Sequence, residues 1–178
     1  MIITETDRLI IRESSGRDFS RIYCMMQSAG ESETTDRISD DENEELEKYL
    51  AYIHTVYSVF GFGLWTVCLK PEKKDGPGEE ATMQEEVIIG RCGLQPIADE
   101  NSPLGRIELG YLIDKDFRGN GYAYEACSAI LAYAFEKLGI EEVSLRIDPG
   151  NEASAGLAGK LGFSRREEDL WILRNPLM

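Results

Sequence analysis

Residues Asp116-Phe-Arg-Gly-Asn-Gly-Tyr-Ala-Tyr-Glu-Ala126 place two glycines, an arginine and an asparagine ahead of a long apolar-periodic stretch. Just upstream, Arg106-Ile-Glu-Leu-Gly-Tyr-Leu-Ile113 reads as a strand. A strand, a glycine-rich turn and a helix start make an anion cradle. The first N–H groups of a helix lack intrahelical partners, and the helix dipole adds positive potential there. Glycine at 119 and 121 removes side chains that would hold an anion away and tolerates unusual dihedrals. Arg118 can add a charge-assisted contact. The dipole contributes about 0.3–1 kcal/mol, rising to ~2 when partly buried, so several convergent N–H donors must provide most of the hold.

Two nucleotide motifs fail on these residues. A P-loop ends in Gly-Lys-Ser/Thr, whereas Gly121 is followed by Tyr122 and Ala123. A dinucleotide fingerprint needs a third glycine where Tyr124 stands, and it belongs on a first strand rather than two-thirds of the way along the chain. What remains is Arg-x-x-Gly-x-Ala, carried by Arg118, Gly121 and Ala123.

The elements that must position this turn alternate along the chain. Strands are expected at Arg8–Glu13, Leu64–Leu69, Val87–Leu94, Arg106–Ile113 and Glu142–Ile147, with two short ones around Phe163–Arg166 and Leu170–Leu173. Helices are expected at Arg17–Gln27 and at Asn43–Phe60, where Leu46, Tyr49, Leu50, Ile53, Val56, Tyr57 and Phe60 recur at helical spacing. The helix Gly121–Leu138 stops at Gly139, and Asn151 caps a helix ending at Gly162. Lys70–Glu85 is polar, contains Pro71, Gly76, Pro77 and Gly78, and reads as an exposed hairpin loop. Strand, helix, strand at the spacing seen after Arg106 is a parallel crossover unit.

Composition narrows the class of protein. A chain of 178 residues fits one domain with a sizeable core. It contains no long apolar run, so no membrane partner is expected, and Met1–Asp7 does not resemble a signal peptide. The net charge of −14 argues against a nucleic-acid partner. Cys24, Cys68, Cys92 and Cys127 lie far apart in apolar stretches and are expected to be buried reduced thiols of a cytoplasmic protein. His54 is the only histidine; it lies beside an apolar stripe and reads as a packed or surface residue. No metal site is expected.

The order of elements, with Arg118, Gly121 and Ala123, resembles the acyl-CoA loop and fold of the GNAT superfamily of N-acetyltransferases. Within it, Thr6-Asp-Arg-Leu-Ile-Ile-Arg12, Gly63-Leu-Trp-Thr-Val, Ile89-Gly-Arg-Cys-Gly93, Asn151-Glu-Ala-Ser154 and Gly159-Lys-Leu-Gly-Phe163 are similar to the ribosomal-protein-alanine N-acetyltransferase (RimJ/RimL) branch. The resemblance implies a single α/β (α+β) domain over residues 1–178, with a central mixed, twisted sheet of about seven strands flanked by about four helices. It also implies acetyl-CoA as cosubstrate. The pyrophosphate would sit against the N–H groups of Gly119, Asn120, Gly121, Tyr122 and Ala123. The pantothenate arm would run beside Tyr111, Leu112 and Ile113, with Asn151 on its other side; Asn151 also serves as an ordinary N-cap.

The implied reaction is direct attack of a neutral amine on the thioester. Keeping a lysine-like amine of pKa ~10.4 neutral at pH 7 costs roughly 4.6 kcal/mol, against about 1–1.4 for an α-amine. Glu108 is the candidate general base, acting through a water; as a strand residue sharing a face with Gly110 and Leu112 it is equally readable as solvent-facing. The leaving thiol has a pKa near 8.5, so a hydroxyl donor helps without being essential. Many relatives use a tyrosine where Ala158 stands. Ser154 is the candidate for stabilising the thiolate, and as a first-turn serine it can also bond to backbone.

The acceptor amine is the least specified element. Glu31–Glu47 is strongly acidic and would attract a cationic peptide or a polyamine; acids at a helix start also have a purely structural use. The closing strand pair is short, leaving the acceptor groove open or completed by a second copy, so monomer and homodimer both remain open. Besides a catalytic N-acetyltransferase, a non-catalytic acyl-CoA-binding regulatory module fits the missing tyrosine, and an unrelated nucleotide-binding module fits the glycine turn alone.

Overall fold

The computed structural model describes residues 1–29, 38–71, 86–99 and 102–176. In chain order the elements are β1 (Ile2–Glu5), β2 (Leu9–Arg12), α1 (Phe19–Ala29), α2 (Glu42–Phe60), β3 (Leu64–Leu69), β4 (Val87–Asp99), β5 (Ser102–Ile113), α3 (Tyr122–Glu136), β6 (Glu142–Arg146), α4 (Glu152–Lys160), β7 (Ser164–Arg165) and β8 (Leu170–Arg174). They build an eight-stranded mixed sheet in the order β1-β2-β3-β4-β5-β6-β8-β7. The β5–β6 pair is parallel and every other pair is antiparallel.

Eight strands rather than about seven are present because Ile2–Glu5 pairs with β2. Its four residues are too short for a clear alternation. The β4–β5 hairpin is also longer than expected: Gln95 pairs with Glu108, Pro96 with Ile107 and Ile97 with Arg106. Pro96 hid this continuation, since proline inside a run argues against a strand. The expected polar loop falls largely on residues 72–85, and residues 31–37 belong to the acidic segment; both lie outside the described residues.

The sheet is covered on both faces. On one, α3 buries Ala126, Cys127, Ile130, Leu131, Ala134 and Phe135 against strand residues such as Leu9, Ile11, Trp65, Val67, Leu109, Val143 and Leu145. Trp65 meets Tyr133 edge-on at 5.7 Å. On the other, α1 and α2 enclose Phe19, Ile22, Tyr23, Met25 and Tyr49, with Leu112 of β5 packed against them. The α2 stripe is only partly used, since Leu50 and Phe60 are exposed. Asp41 caps α2 by accepting from the N–H groups of Asn43 and Glu44, and Gly61 ends it. Cys68, Cys92 and Cys127 are buried, but Cys24 is exposed on α1 and corrects the expectation for all four. His54 is exposed.

Candidate active site

β5 and β6 form a single bridge pair, Glu108 with Ser144. The Ser144 hydroxyl reinforces it, donating to the Ile107 carbonyl at 3.1 Å. Beyond that point the strands part. The opening leads into a groove of about 600 Å³ whose lining includes Tyr111, Leu112, Ile113, Arg118, Gly119, Gly121, Tyr122, Ala123, Asn151 and Ser154. The turn, the end of β5 and the start of α4 thus share one cavity, in the size range of small-molecule sites.

The cradle has the backbone its sequence requires. Gly119 and Gly121 have φ of +78° and +81°, the left-handed region that side-chain-bearing residues rarely adopt. A Cβ on Gly119 would meet nothing, and one on Gly121 only the Arg8 guanidinium at 3.6 Å, so the space above the turn is open to a ligand. The first helical bond of α3 runs from Glu125 N–H to Gly121 carbonyl, which leaves the N–H groups of Tyr122, Ala123 and Tyr124 without intrahelical acceptors. An extended diphosphate fits this donor set.

Side chains of the turn divide into those that face the groove and those that shape it. Asn120 does not line the groove; its amide donates to the carbonyls of Phe117 and Arg118 at 3.2 and 3.1 Å. Arg118 lines the groove but ties its Nε to the Ile113 carbonyl at 2.9 Å. Asn151 is the N-cap of α4, accepting from Ser154 N–H at 3.0 Å, and also lines the groove.

Two features of the site were not foreseen. The Tyr111 hydroxyl donates to Ser154 Oγ at 2.8 Å, so a tyrosine enters from β5, whereas the helix position Ala158 is buried. Alternation could have signalled this, since Tyr111 lies on the opposite face of β5 from Glu108 and Leu112. The other feature is a latch beneath the cradle. Glu125 accepts from Thr6 Oγ1 at 2.5 Å and from Arg8 Nε at 2.7 Å. Arg8 also donates to the Asn120 carbonyl at 3.0 Å and stacks 4.5 Å from the Tyr122 ring centre. Partial burial works against the Glu125 charge, but the bonds from Thr6 and Arg8 outweigh it and lower its pKa.

Glu108 is half-buried and lies outside the lining of this groove. It stands at the parting of β5 and β6, on the face shared with Gly110, where an added Cβ would fall 2.9 Å from Leu64 Cδ2 and 3.3 Å from Gln95 Oε1. That is the α1–α2 face. Burial raises its pKa; the charges of Arg146 and Arg106 oppose the rise and Asp169 adds to it. A carboxylate held partly out of water is a better base than an exposed one.

Comparison with known proteins accounts for this arrangement. Residues 8–164 match the model of the acetyltransferase (GNAT) domain. The uncharacterised N-acetyltransferase YoaA of Bacillus subtilis is 27% identical over 163 residues, covering 92% of this chain and 83% of that protein. Among solved structures, a ribosomal-protein-S5-alanine acetyltransferase from Vibrio fischeri superposes with a TM-score of 0.73 at 17% identity, over 97% of this chain and 96% of that one. A spermidine N-acetyltransferase chimera from Vibrio cholerae gives 0.65 at 15% identity, over 94% and 96%. Those two structures share the fold while their names differ in acceptor. The chain belongs to the GNAT acetyltransferase family, and with it to the acetyl-CoA-dependent acetyltransferases.

Proposed function

We propose that this protein transfers the acetyl group of acetyl-CoA directly to a primary amine, on a protein N-terminus or on a small molecule. The observation that carries this reading is the hydrogen-bonded Tyr111–Ser154 pair lining the groove that opens where β5 and β6 part, with Glu108 at the parting itself. A proton donor and a proton acceptor thus approach one gap from opposite faces of the sheet.

The cradle N–H groups from Gly119 to Ala123, with Arg118 nearby, hold the diphosphate. The end of β5 and Asn151 flank the arm. The amine nitrogen bonds to the thioester carbonyl carbon as the carbon–sulfur bond breaks. Glu108 accepts the proton lost by the amine through a water, and the departing thiolate takes a proton from the Tyr111–Ser154 pair. Direct attack by the amine needs no acyl-enzyme, and no cysteine lines the groove. The regulatory alternative rested on the absent tyrosine at position 158. Tyr111 offers a phenol from a different element, bonded to Ser154, which supports the catalytic reading.

The test is release of CoA thiol across a panel of N-terminal peptides, polyamines and amino acids. Turnover above the hydrolysis background with at least one amine is expected. Tight acetyl-CoA binding with background release throughout would favour the regulatory module instead.

A further inference from the structure

A second cavity, of about 410 Å³, lies on the α1–α2 face of the sheet. Phe19, Ile22, Tyr23 and Met26 of α1 form an apolar wall, and Tyr49 and Tyr52 of α2 stand with Arg91 and Gln95 of β4. Arg91 is only 9% exposed, and its Nε has no hydrogen-bond partner. Its Nη1 lies 3.5 Å from the weak acceptor Met26 Sδ, and its guanidinium carbon is 5.9 Å from the ring centres of both Tyr49 and Tyr52. No carboxylate among the described residues pairs with it. The other charged lining groups, Glu45 and Lys48, pair with each other at 3.0 Å. Burying a cation without an anion is costly, and ring faces offset only part of that cost. A guanidinium fork so placed matches a planar carboxylate.

The position of this charge relative to the reacting end is set by the β4–β5 register. Gln95 pairs with Glu108, and Arg91 pairs with Leu112. Arg91 and Gln95 therefore stand about 13 Å apart along β4, from a strand rise of about 3.3–3.4 Å per residue. Both line the cavity, so its Arg91 end offers a cation and its Gln95 end lies beside Glu108, as an acceptor with an acid at one end and an amine at the other requires.

Resting on the acetyl-transfer reading above, we infer that the cavity between α1, α2 and β4 is the acceptor subsite, and that its ligand is a small amine of amino-acid type. Its carboxylate would meet Arg91, its apolar side chain the Phe19–Met26 wall, and its amine the Glu108 end. This differs from the expectation of a cationic peptide or a polyamine drawn from the acidic segment, residues 31–37 of which lie outside the described residues. That segment has structural uses where it is described: Asp41 caps α2, and Glu44 and Glu45 pair with Lys48.

The experiment compares methionine, leucine and phenylalanine with their own amides, alongside spermidine and a capped-C-terminus peptide, by CoA release from the wild-type chain. A second arm measures binding of N-acetylmethionine by calorimetry and needs no turnover. Per neutral amine, whose fraction is larger for the less basic amides, the acids are expected to exceed their amides in kcat/KM by about 10- to 100-fold, the range for a hydrogen bond to a charged group. Arg91→Met is expected to erase that preference and the N-acetylmethionine signal while leaving acetyl-CoA affinity unchanged; Arg91→Lys should keep part of both. Amides, spermidine or the peptide turned over as well as the acids would overturn the assignment with acetyl transfer intact. N-acetylmethionine bound in an Arg91-dependent way, with no CoA release from any amine, would support the subsite while removing the transfer reading.

Discussion

Glu108 and Tyr111 lie three residues apart on β5, on opposite faces, and the proposed reaction assigns each one half of the transfer. The proposed reaction needs both the amine and Glu108 deprotonated. Below the pKa of the acceptor amine, about 7.7–8.0 for a peptide N-terminus and higher for a free amino acid beside its own carboxylate, log kcat/KM should fall with a slope of one. Burial raises the pKa of Glu108 above its ordinary 4.5, so below that raised value the slope should steepen to two. In Glu108→Gln the second bend should vanish and kcat drop about 10²-fold or more, as for a lost general base, with acetyl-CoA affinity retained. An unchanged profile in that variant would remove Glu108 from the mechanism. Tyr111→Phe deletes the hydroxyl that donates to Ser154. Because a thiolate departs without a strong acid, the expected loss in kcat is milder, about 10-fold. It should shrink further for a thioester whose thiol has a lower pKa; equal losses for both would assign Tyr111 a packing role.

At the scale of elements, the site is a strand end, a turn and two helix starts, and their legibility differs. Gly119, Gly121 and Asn151 announced themselves because their roles are local: a left-handed turn and a helix cap are written in adjacent residues. Arg8, Thr6 and Arg91 stand in motifs that carry the resemblance, but their contacts were not legible, because each meets its partners across the fold. Arg8 and Glu125 are far apart in sequence, yet the pair fixes the outer wall of the cradle through Asn120 and Tyr122. Two variants separate the turn from its support. Gly121→Glu adds strain of about 1–2 kcal/mol for a non-glycine residue in the left-handed region and sets a carboxylate against the diphosphate. It should abolish acetyl-CoA binding, and undiminished binding by calorimetry would rule out the cradle. Arg8→Ala removes an ion pair whose arginine is 48% exposed and whose glutamate is partly buried, so unfolding should change by about 1 kcal/mol, the upper end for such a pair. The cradle it pre-orders should nonetheless bind acetyl-CoA about 3- to 10-fold more weakly, since ordering is then charged to binding. A fall in stability with unchanged affinity would mark the latch as a fold contact only.

At the scale of the whole molecule, charge acts in two opposing ways. The net charge of −14 repels itself in the compact state, so mild acid should relieve strain as surface carboxylates protonate. Against this stands a buried pair. Asp18 receives two bonds from the Arg12 guanidinium, at 2.8 and 2.9 Å, and one from Ser15 N–H at 2.8 Å, with its side chain 4% exposed. Burial alone would raise the Asp18 pKa, but Arg12 and Ser15 outweigh it and hold it below 3.8. A carboxyl depressed in the folded state adds stability above its unfolded pKa, and that stability is lost as pH falls through the folded value. Tm should therefore peak in mild acid, between pH 7 and the sequence pI of 4.5, and fall steeply below pH ~3.8, the unfolded carboxylate range. Arg12 keeps Glu86 as a second partner at 2.7 Å, so Asp18→Asn should cost at most about 3 kcal/mol at pH 7, the scale for stripping one partner from a buried pair, or up to roughly 6–12 °C for a chain of this size. The deficit should close as the wild-type carboxyl protonates, so the two melting curves should converge as pH falls below the unfolded carboxylate range. A deficit constant with pH would mean that the asparagine disturbs packing beside Thr66 and Ser14 rather than removing a charge.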